Sequence, residues 1–190
     1  MAIAGNGIPS AARRQQAPTG CGSCLGEPAF ATYIDLLDEL VEGDEIGLPG
    51  RVARAVRPLV RRRDWLPESC CEPGDECYRR HLLYSDPAGR FTVLAVVWRP
   101  GQGTPVHGHT AWGAVGVYQG NPSVANYRYR DGQEPVLAGE HRCQPGDVSH
   151  VSAGTAHPHR VFNAGNDIAI TIHTYGRDLS VDPTAINILL

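Results

Sequence analysis

The hydrophobic positions in the first third of the chain follow a helical period. In residues 29–42 they recur at steps of three and four: Phe30, Ile34, Leu37 and Val41. This spacing predicts an amphipathic helix that ends at Gly43. A second apolar run has a spacing of four: Val52, Val56 and Val60. We expect a second helix there, kinked or split at Pro58, because proline has no N–H and clashes with the preceding turn.

From about Cys77 the pattern changes to that of β-strands. Short runs rich in β-branched and aromatic residues are separated by turn signals such as DPAG, PGQG, RDGQ and QPGD. The runs are YRRHLLY, RFTVLAVVW, WGAVGVY, SVANYRY, PVLAGEHRC, DVSHVS, HRVFN and IAITIHTY. Seven or eight strands at near-regular spacing predict an all-β sandwich or a small barrel.

The length and the N-terminal composition predict one domain behind a leader. A chain of 190 residues is expected to form one core. Residues 1–26 begin with a stretch rich in Gly, Ala, Gln and Ser, which predicts a disordered leader before a single domain over residues 27–190. This stretch lacks the apolar segment of a signal peptide, and no run approaches the roughly 20 residues of a membrane span. We therefore expect a cytoplasmic protein.

The net charge limits the expected classes of binding partner, and the cysteine content bears on disulfides and metal sites. A net charge of −3 gives no reason to expect nucleic acid or an anionic membrane as a partner, and the sequence does not indicate an oligomeric state. In a reducing compartment the six cysteines are expected to be free thiols. The spacing of Cys21 and Cys24 also fits a zinc knuckle or a redox pair, and CCEPGDEC (70–77) contains more sulfur ligands. No second pair follows at a matching spacing, so incidental thiols are favoured.

His107 and His109 are the first candidates for metal chemistry. They are one residue apart, so in a strand both side chains face the same side of the sheet. Two imidazoles that converge on one point suit a metal ion. The alternative is that one or both are ordinary core or surface histidines.

The glycines around this pair resemble the first cupin motif. Gly101, His107, His109 and Gly120 have its spacing, whereas Gly113 stands where that motif normally has a glutamate. PGDVSHVSAGTAHPHRVFN (145–163) resembles the second cupin motif, in which a histidine precedes an asparagine by four positions, as His159 precedes Asn163. The resemblance implies a mainly β fold: a jelly-roll-like cupin β-barrel at about 77–177, preceded by two or three N-terminal helices.

Three histidines without the carboxylate are typical of the cupin-type thiol dioxygenases, the cysteine dioxygenase and 3-mercaptopropionate dioxygenase family. The resemblance implies that His107, His109 and His159 bind Fe(2+). A neutral ligand set leaves the iron with its full charge, which suits a thiolate. His157 is a competing third ligand if the chain stays extended past Pro158, but HRVFN matches the family's segment and favours His159.

The segment TIHTY resembles the family's Ser-His-Tyr relay. Thr171, His173 and Tyr175 alternate, so they share one face of a strand. Thr171 keeps the hydroxyl of the usual serine. The resemblance implies that Thr171 orients His173, which orients Tyr175 toward the reacting group. Ordinary polar alternation in a half-buried strand is the alternative.

The segment CYRRHLL resembles the strand on which cysteine dioxygenases carry Tyr-x-Arg. Tyr78 and Arg80 match it, and Arg79 is expected to point away. Arg80 would bind the substrate carboxylate with two parallel hydrogen bonds, although a surface arginine is the alternative. HTAWG and DWLP instead resemble bacterial 3-mercaptopropionate dioxygenases, which carry glutamine at the position of Arg80. Animal cysteine dioxygenases place a crosslinking cysteine at about Gly113, so Tyr175 is expected to be uncrosslinked.

These residues predict an Fe(2+)-dependent enzyme that adds both atoms of O2 to the sulfur of cysteine or 3-mercaptopropionate. Mercaptosuccinate is an alternative if Arg79 or Arg160 meets its second carboxylate. A three-histidine zinc enzyme and a non-catalytic cupin that binds a small ligand are the rivals from other classes. The residues around the histidine pair give no reason for Gly108, where the family usually has aspartate.

Overall fold

The computed structural model describes residues 24–180 and 186–190, together with the backbone of Thr19–Gly20. Most of the predicted leader lies outside these residues. Within it, Thr19–Gly20 pair with a later strand and Cys24–Gly26 form one turn of 3-10 helix. The helix α1 (Pro28–Glu42) matches the helix predicted over residues 29–42 and ends at Gly43, as expected.

The second helix, α2 (Leu48–Arg61), is continuous, so the predicted split at Pro58 is wrong. Pro58 has no N–H to donate to the carbonyl of Arg54, and both residues are exposed. Val56, Leu59 and Val60 on the opposite face are buried. Packing of that face holds the helix together despite a proline penalty of about 3 kcal/mol.

The strands of the described residues reproduce the eight predicted runs and add three short ones. They are β1 (Thr19–Gly20), β2 (Arg79–Ser85), β3 (Thr92–Trp98), β4 (His107–His109), β5 (Gly113–Gln119), β6 (Ser123–Arg128), β7 (Val136–Arg142), β8 (Val148–Val151), β9 (Gly154–Phe162), β10 (Ala169–Tyr175) and β11 (Asn187–Leu189). Turn residues bound most of them, as their sequences predict.

Two sheets face each other. The six-stranded sheet has the order β1-β2-β3-β10-β5-β8, and the five-stranded sheet has the order β11-β4-β9-β6-β7. All pairings are antiparallel except that of β1 with β2. A mainly β fold behind two N-terminal α-helices is therefore confirmed. Each sheet keeps two edge strands, so the described strands form an open sandwich and not the closed barrel that we expected.

The hydrophobic core has two parts, and β3 belongs to both. Its seven residues are all buried, and alternate side chains face opposite sides of the sheet. One set joins the cluster that includes the helices: Val93, Ala95 and Val97. The other set joins the cluster between the sheets: Leu94, Val96 and Trp98. The central strands are thus covered on both faces, which explains why they are apolar throughout.

The prediction of six free thiols is wrong at Cys70, which is disulfide-bonded. Cysteine pairing depends on which sulfurs the fold brings together, and sequence spacing does not show this. Cys21 lies outside the described residues, so the choice between incidental thiols and a zinc or redox pair at Cys21 and Cys24 stays untested. Burial raises the pKa of the Cys71 and Cys143 thiols. Within the described part of the chain, neither α-helix is long and apolar enough to cross a membrane.

Candidate metal centre

Three histidines from two neighbouring strands converge between the sheets. His107 and His109 are in β4, and His159 is in β9, where it pairs with His107. One ring nitrogen of each lies within 4.8 Å of the others. In the parts of the chain that the structure describes, no other group of three His, Cys, Asp or Glu side chains is arranged to hold a metal ion. The cluster is therefore the candidate metal centre.

The close approach of β4 to β9 explains Gly108. A Cβ atom at this position would lie 2.5 Å from the carbonyl oxygen of Gly154 and 3.1 Å from Cα of Thr155. Any side chain, including an aspartate, would push the two strands apart. Glycine therefore allows His107 and His109 to approach His159.

His157, the competing third ligand, is exposed and lies outside the cluster. The ladder between β4 and β9 is irregular, because His107 pairs with His159 whereas His109 pairs with Gly154. Residues 155–158 therefore leave the regular ladder, and the alternation that would place His157 beside His159 is broken.

The cluster is neutral at physiological pH. Burial, followed by repulsion from neighbouring histidines, lowers the pKa of both His109 and His159 to about 3. Burial also lowers the pKa of His107, and the hydrogen bond to the Pro105 carbonyl opposes it. That carbonyl oxygen only accepts, so Nδ1 of His107 donates to it at 3.0 Å and Nε2 keeps its lone pair for a metal. No carboxylate belongs to the cluster.

The three predicted relay residues lie in β10 and are hydrogen-bonded in series. The hydroxyl of Thr171 is 2.7 Å from Nε2 of His173, and Nδ1 of His173 is 2.9 Å from the hydroxyl of Tyr175. All three are buried. Burial, followed by the charge of Arg80, lowers the pKa of His173 to about 3, whereas burial raises the pKa of Tyr175. At neutral pH the chain therefore joins a neutral imidazole to a protonated phenol.

Trp98 extends this chain, and the sequence indicated only a core residue there. Its indole N–H donates to the Thr171 hydroxyl at 2.9 Å. Trp98 is the last residue of the apolar strand β3, a position that predicts only a packing role. Its partner is distant in sequence and is not its register partner, since Trp98 pairs with Ala169 across the ladder. No sequence signal identifies this contact.

Tyr78 and Arg80 lie at the same cavity as the histidines, as the resemblance implied. Arg80 is 6% exposed, and its Nη2 donates to the Tyr78 hydroxyl at 3.3 Å. Its guanidinium also lies 5.6 Å from the centre of the Tyr78 ring. Arg79 points away, as expected, and pairs with Glu72 at 3.4 Å. The alternative of a surface arginine is thus excluded for Arg80.

Gly113 makes room for Tyr175. A Cβ atom on Gly113 would lie 2.9 Å from two ring carbons of Tyr175, its partner across the ladder. The position at which the first cupin motif has glutamate is thus directed at the tyrosine ring. With glycine there, position 113 supplies neither a carboxylate nor a sulfur beside Tyr175.

The C-terminal segment also reaches the cavity, which the sequence did not predict. Ile186 and Asn187 line it, and β11 pairs with β4 so that Asn187 lies opposite His109. The segment after Gly176 has no motif that marked it. The cavity itself is small, about 40 Å³, and has both the histidines and Arg80 in its wall.

Comparison with solved structures found partial likenesses. Among solved structures, a cupin-superfamily sugar phosphate isomerase from Silicibacter pomeroyi is 25% identical with a TM-score of 0.39; the match covers 47% of this chain and 52% of that one. A protein from Thermus thermophilus is 21% identical with a TM-score of 0.44, over 58% and 92% of the two chains. An uncharacterised protein with a double-stranded β-helix domain from Klebsiella pneumoniae is 16% identical with a TM-score of 0.46, over 58% and 80%. This chain thus spans about half the length of the first of them.

The family itself is shown by sequence. The family model described as cysteine dioxygenase type I matches residues 72–181, more than half of the chain. The match includes all three clustered histidines, the hydrogen-bonded residues of β10, and both Tyr78 and Arg80. The chain belongs to the cysteine dioxygenase type I family.

Proposed function

We propose that this protein is an Fe(2+)-dependent thiol dioxygenase that converts a small thiol-carboxylate to its sulfinate. The observation that carries the proposal is one small cavity whose wall contains both the neutral three-histidine cluster and a buried arginine. Both atoms of O2 go to the sulfur, so a thiolate and O2 give a sulfinate with no other reductant and no leaving group.

The residues present fit a metal ion. His107, His109 and His159 are buried or half-buried imidazoles with lone pairs available at neutral pH. When bound there, iron supplies the redox chemistry that lets O2 react with a thiolate.

Arg80 binds the substrate carboxylate. A guanidinium buried in the cavity wall meets a carboxylate with two parallel hydrogen bonds, which fixes orientation as well as charge. Tyr78 holds Arg80 in place through its hydroxyl and its ring face. The thiol end of a short substrate is then directed toward the histidines.

Tyr175 donates a hydrogen bond to the reacting group. Burial raises its pKa, so its proton stays in place at neutral pH. His173 and Thr171 hold the phenol in one orientation. Hydrogen bonds of this kind around a metal site commonly change activity about 10- to 100-fold when removed.

A substrate with one carboxylate, such as cysteine or 3-mercaptopropionate, fits best. Of the described arginines, only Arg80 lines the cavity. Arg79 is paired with Glu72, and the exposed Arg160 lies 4.9 Å from the ring centre of Phe162. Neither is placed to meet the second carboxylate of mercaptosuccinate.

Oxygen uptake by iron-loaded protein tests the proposal. We expect cysteine or 3-mercaptopropionate to drive the uptake of O2 with one sulfinate formed per O2, measured by an oxygen electrode and mass spectrometry. No uptake with these thiols or with mercaptosuccinate, in protein shown by metal analysis to hold iron, would sink the proposal. Zinc in protein purified without added metal would favour the zinc rival. Thiol binding without turnover would favour the non-catalytic one.

A further inference from the structure

A second cavity, of about 210 Å³, lies between the two sheets. It shares Val115, His159 and Val161 with the cavity that holds the histidine cluster, and it contains neither Arg80 nor Tyr78. His159 therefore borders two cavities, and of the two only the substrate cavity contains Arg80 and Tyr78.

The lining of this second cavity changes from polar to apolar with depth. Its exposed lining residues are polar: Arg57, His141, Asp147 and Ser149. Its buried and half-buried lining residues are mainly valines: Val115, Val117, Val124, Val148 and Val161. Val117 is 4% exposed yet belongs to neither hydrophobic cluster, as expected for a side chain that faces open space. The cavity thus has a polar mouth and a mainly apolar interior, in which His159 and Thr171 are polar lining residues.

We infer that this second cavity binds dioxygen and delivers it to the metal centre, an inference that rests on the proposed thiol dioxygenase function. Apolar space of roughly this volume binds small apolar molecules such as xenon. An anionic thiol-carboxylate meets no buried cation there, because Arg57 is exposed at the mouth. The two substrates therefore reach the metal centre from separate cavities.

Xenon tests the cavity without any turnover. We expect a crystal of the metal-free protein under xenon pressure to show xenon among Val117, Val124 and Val148. Wild-type protein with no xenon between the sheets would overturn the inference. Xenon bound in protein that oxidises no thiol would leave the cavity as an apolar site and overturn only the proposed function.

Filling the cavity tests the route. We expect Val117→Phe to raise the KM for O2 about tenfold while the KM for the thiol stays unchanged. Val124→Phe, at a half-buried position, is the second variant should Val117→Phe fail to fold. Val136→Phe is the matched control, since Val136 is 65% exposed and lies outside the cavity. An unchanged KM for O2 in a folded, xenon-excluding variant would overturn the route.

Trp98 supplies an independent clue to the direction of the hydrogen bonds in β10. An indole N–H only donates, so the bond from Trp98 occupies one lone pair of the Thr171 hydroxyl oxygen. The Thr171 proton can then go to Nε2 of His173 at 2.7 Å or to the Val96 carbonyl at 3.5 Å. The second lone pair of the Thr171 oxygen would also allow Nε2–H of His173 to donate to it. However, a hydroxyl that accepts from Trp98 is polarised to donate, and the Val96 contact is at the limit of a hydrogen bond, so donation from Thr171 to Nε2 is favoured. His173 then accepts at Nε2, and its proton is on Nδ1.

We propose that Trp98 is a positioning residue that holds His173 in the Nδ1–H tautomer. His173 then donates from Nδ1 to the Tyr175 oxygen at 2.9 Å, which leaves the phenol proton of Tyr175 free to point into the cavity. With the opposite tautomer, Tyr175 would spend that proton on His173. Trp98 thereby favours the tautomer in which Tyr175 can donate to a bound ligand.

Nitrogen NMR of ¹⁵N-histidine-labelled, metal-free protein tests this proposal directly. We expect the wild type to carry the His173 proton on Nδ1, and Trp98→Phe, which keeps an aromatic ring against Tyr78, to mix the two tautomers. Trp112→Phe is the control and is expected to match the wild type. A proton on Nε2 in the wild type, or an unchanged spectrum in folded Trp98→Phe, would overturn the proposal. In turnover, Trp98→Phe is expected to lower kcat and leave the thiol KM unchanged.

Discussion

The five-stranded sheet contributes the histidine cluster, whereas the six-stranded sheet contributes Arg80 and the hydrogen-bonded side chains of β10. The two sheets also differ in how they are covered. Every residue of β10 is buried, and α2 packs near it, whereas every residue of β7 at the edge of the other sheet is exposed. The groups that must be oriented for hydrogen bonding thus lie in the better-packed sheet. The sheets can therefore be perturbed separately.

Removal of one histidine ligand is expected to have the largest effect, which should arise from loss of the metal. In His159→Ala we expect metal content and activity to be lost, because two imidazoles remain where the metal needs three. His157→Ala is the matched control and is expected to bind metal normally, since His157 is exposed. Metal analysis after gel filtration measures this. Low metal content in His157→Ala together with normal metal content in His159→Ala would show that the wrong third ligand was assigned.

Replacement of Arg80, which lies in the six-stranded sheet, is expected to weaken substrate binding and to leave metal binding intact. Arg80→Ala should keep its metal but weaken transition-state binding of the thiol-carboxylate by about 2–5 kcal/mol, the usual cost of truncating one partner of a buried charge pair. Steady-state kcat/KM measures this loss. Arg79→Ala is the control and should match the wild type, because Arg79 pairs with Glu72 on the surface. A normal kcat/KM in Arg80→Ala would remove this residue from the substrate site.

Loss of one hydroxyl is expected to be milder. Tyr175→Phe should keep the ring against Gly113 and lower kcat about 10- to 100-fold with metal content unchanged. Single-turnover rates measure it without interference from product release. A loss of metal in Tyr175→Phe would mean that the division of roles between the sheets is wrong.

The pH dependence of stability reports on His173. The unfolded chain binds a proton at this histidine near its ordinary pKa of about 6.5, whereas the folded protein binds it only near 3. The folded state is therefore stabilised above pH 6.5, and this stabilisation falls as the pH drops toward 3. Between these two pKa values, the unfolding free energy of the metal-free protein should rise with pH. We expect His173→Gln to lower the slope of this rise by about 1.4 kcal/mol per pH unit, measured by urea unfolding.

The positions of the strands and the side chains on each strand face could be predicted because the hydrophobic period and the turn residues are local signals. The runs of β3 and β10 and the face shared by Thr171, His173 and Tyr175 follow from alternation alone. Arg80 was placed by alternation together with the family resemblance. Distant pairings were not predictable in this way.

What the sequence did not predict depends on contacts between remote segments. Packing of its buried face keeps α2 continuous through Pro58, and the sulfur that pairs with Cys70 is chosen by the fold. The bond from Trp98 to Thr171 joins two strands, and Asn187 reaches His109 from a segment with no motif. The space left by Gly108 became clear only from the neighbouring Gly154 carbonyl.

Thiol binding to cobalt(II)-substituted protein tests most directly whether one sheet holds the metal and the other holds the carboxylate. We would titrate 3-mercaptopropionate and its carboxylate-free analogue propanethiol, following the thiolate-to-metal absorption band. In the wild type we predict much tighter binding of 3-mercaptopropionate, by about 2 kcal/mol or more, and in Arg80→Ala we predict that this difference disappears while the band remains. Equal affinity for both thiols in the wild type would contradict the assignment of the carboxylate to Arg80, and no band with either thiol would contradict the assignment of the metal to the three histidines.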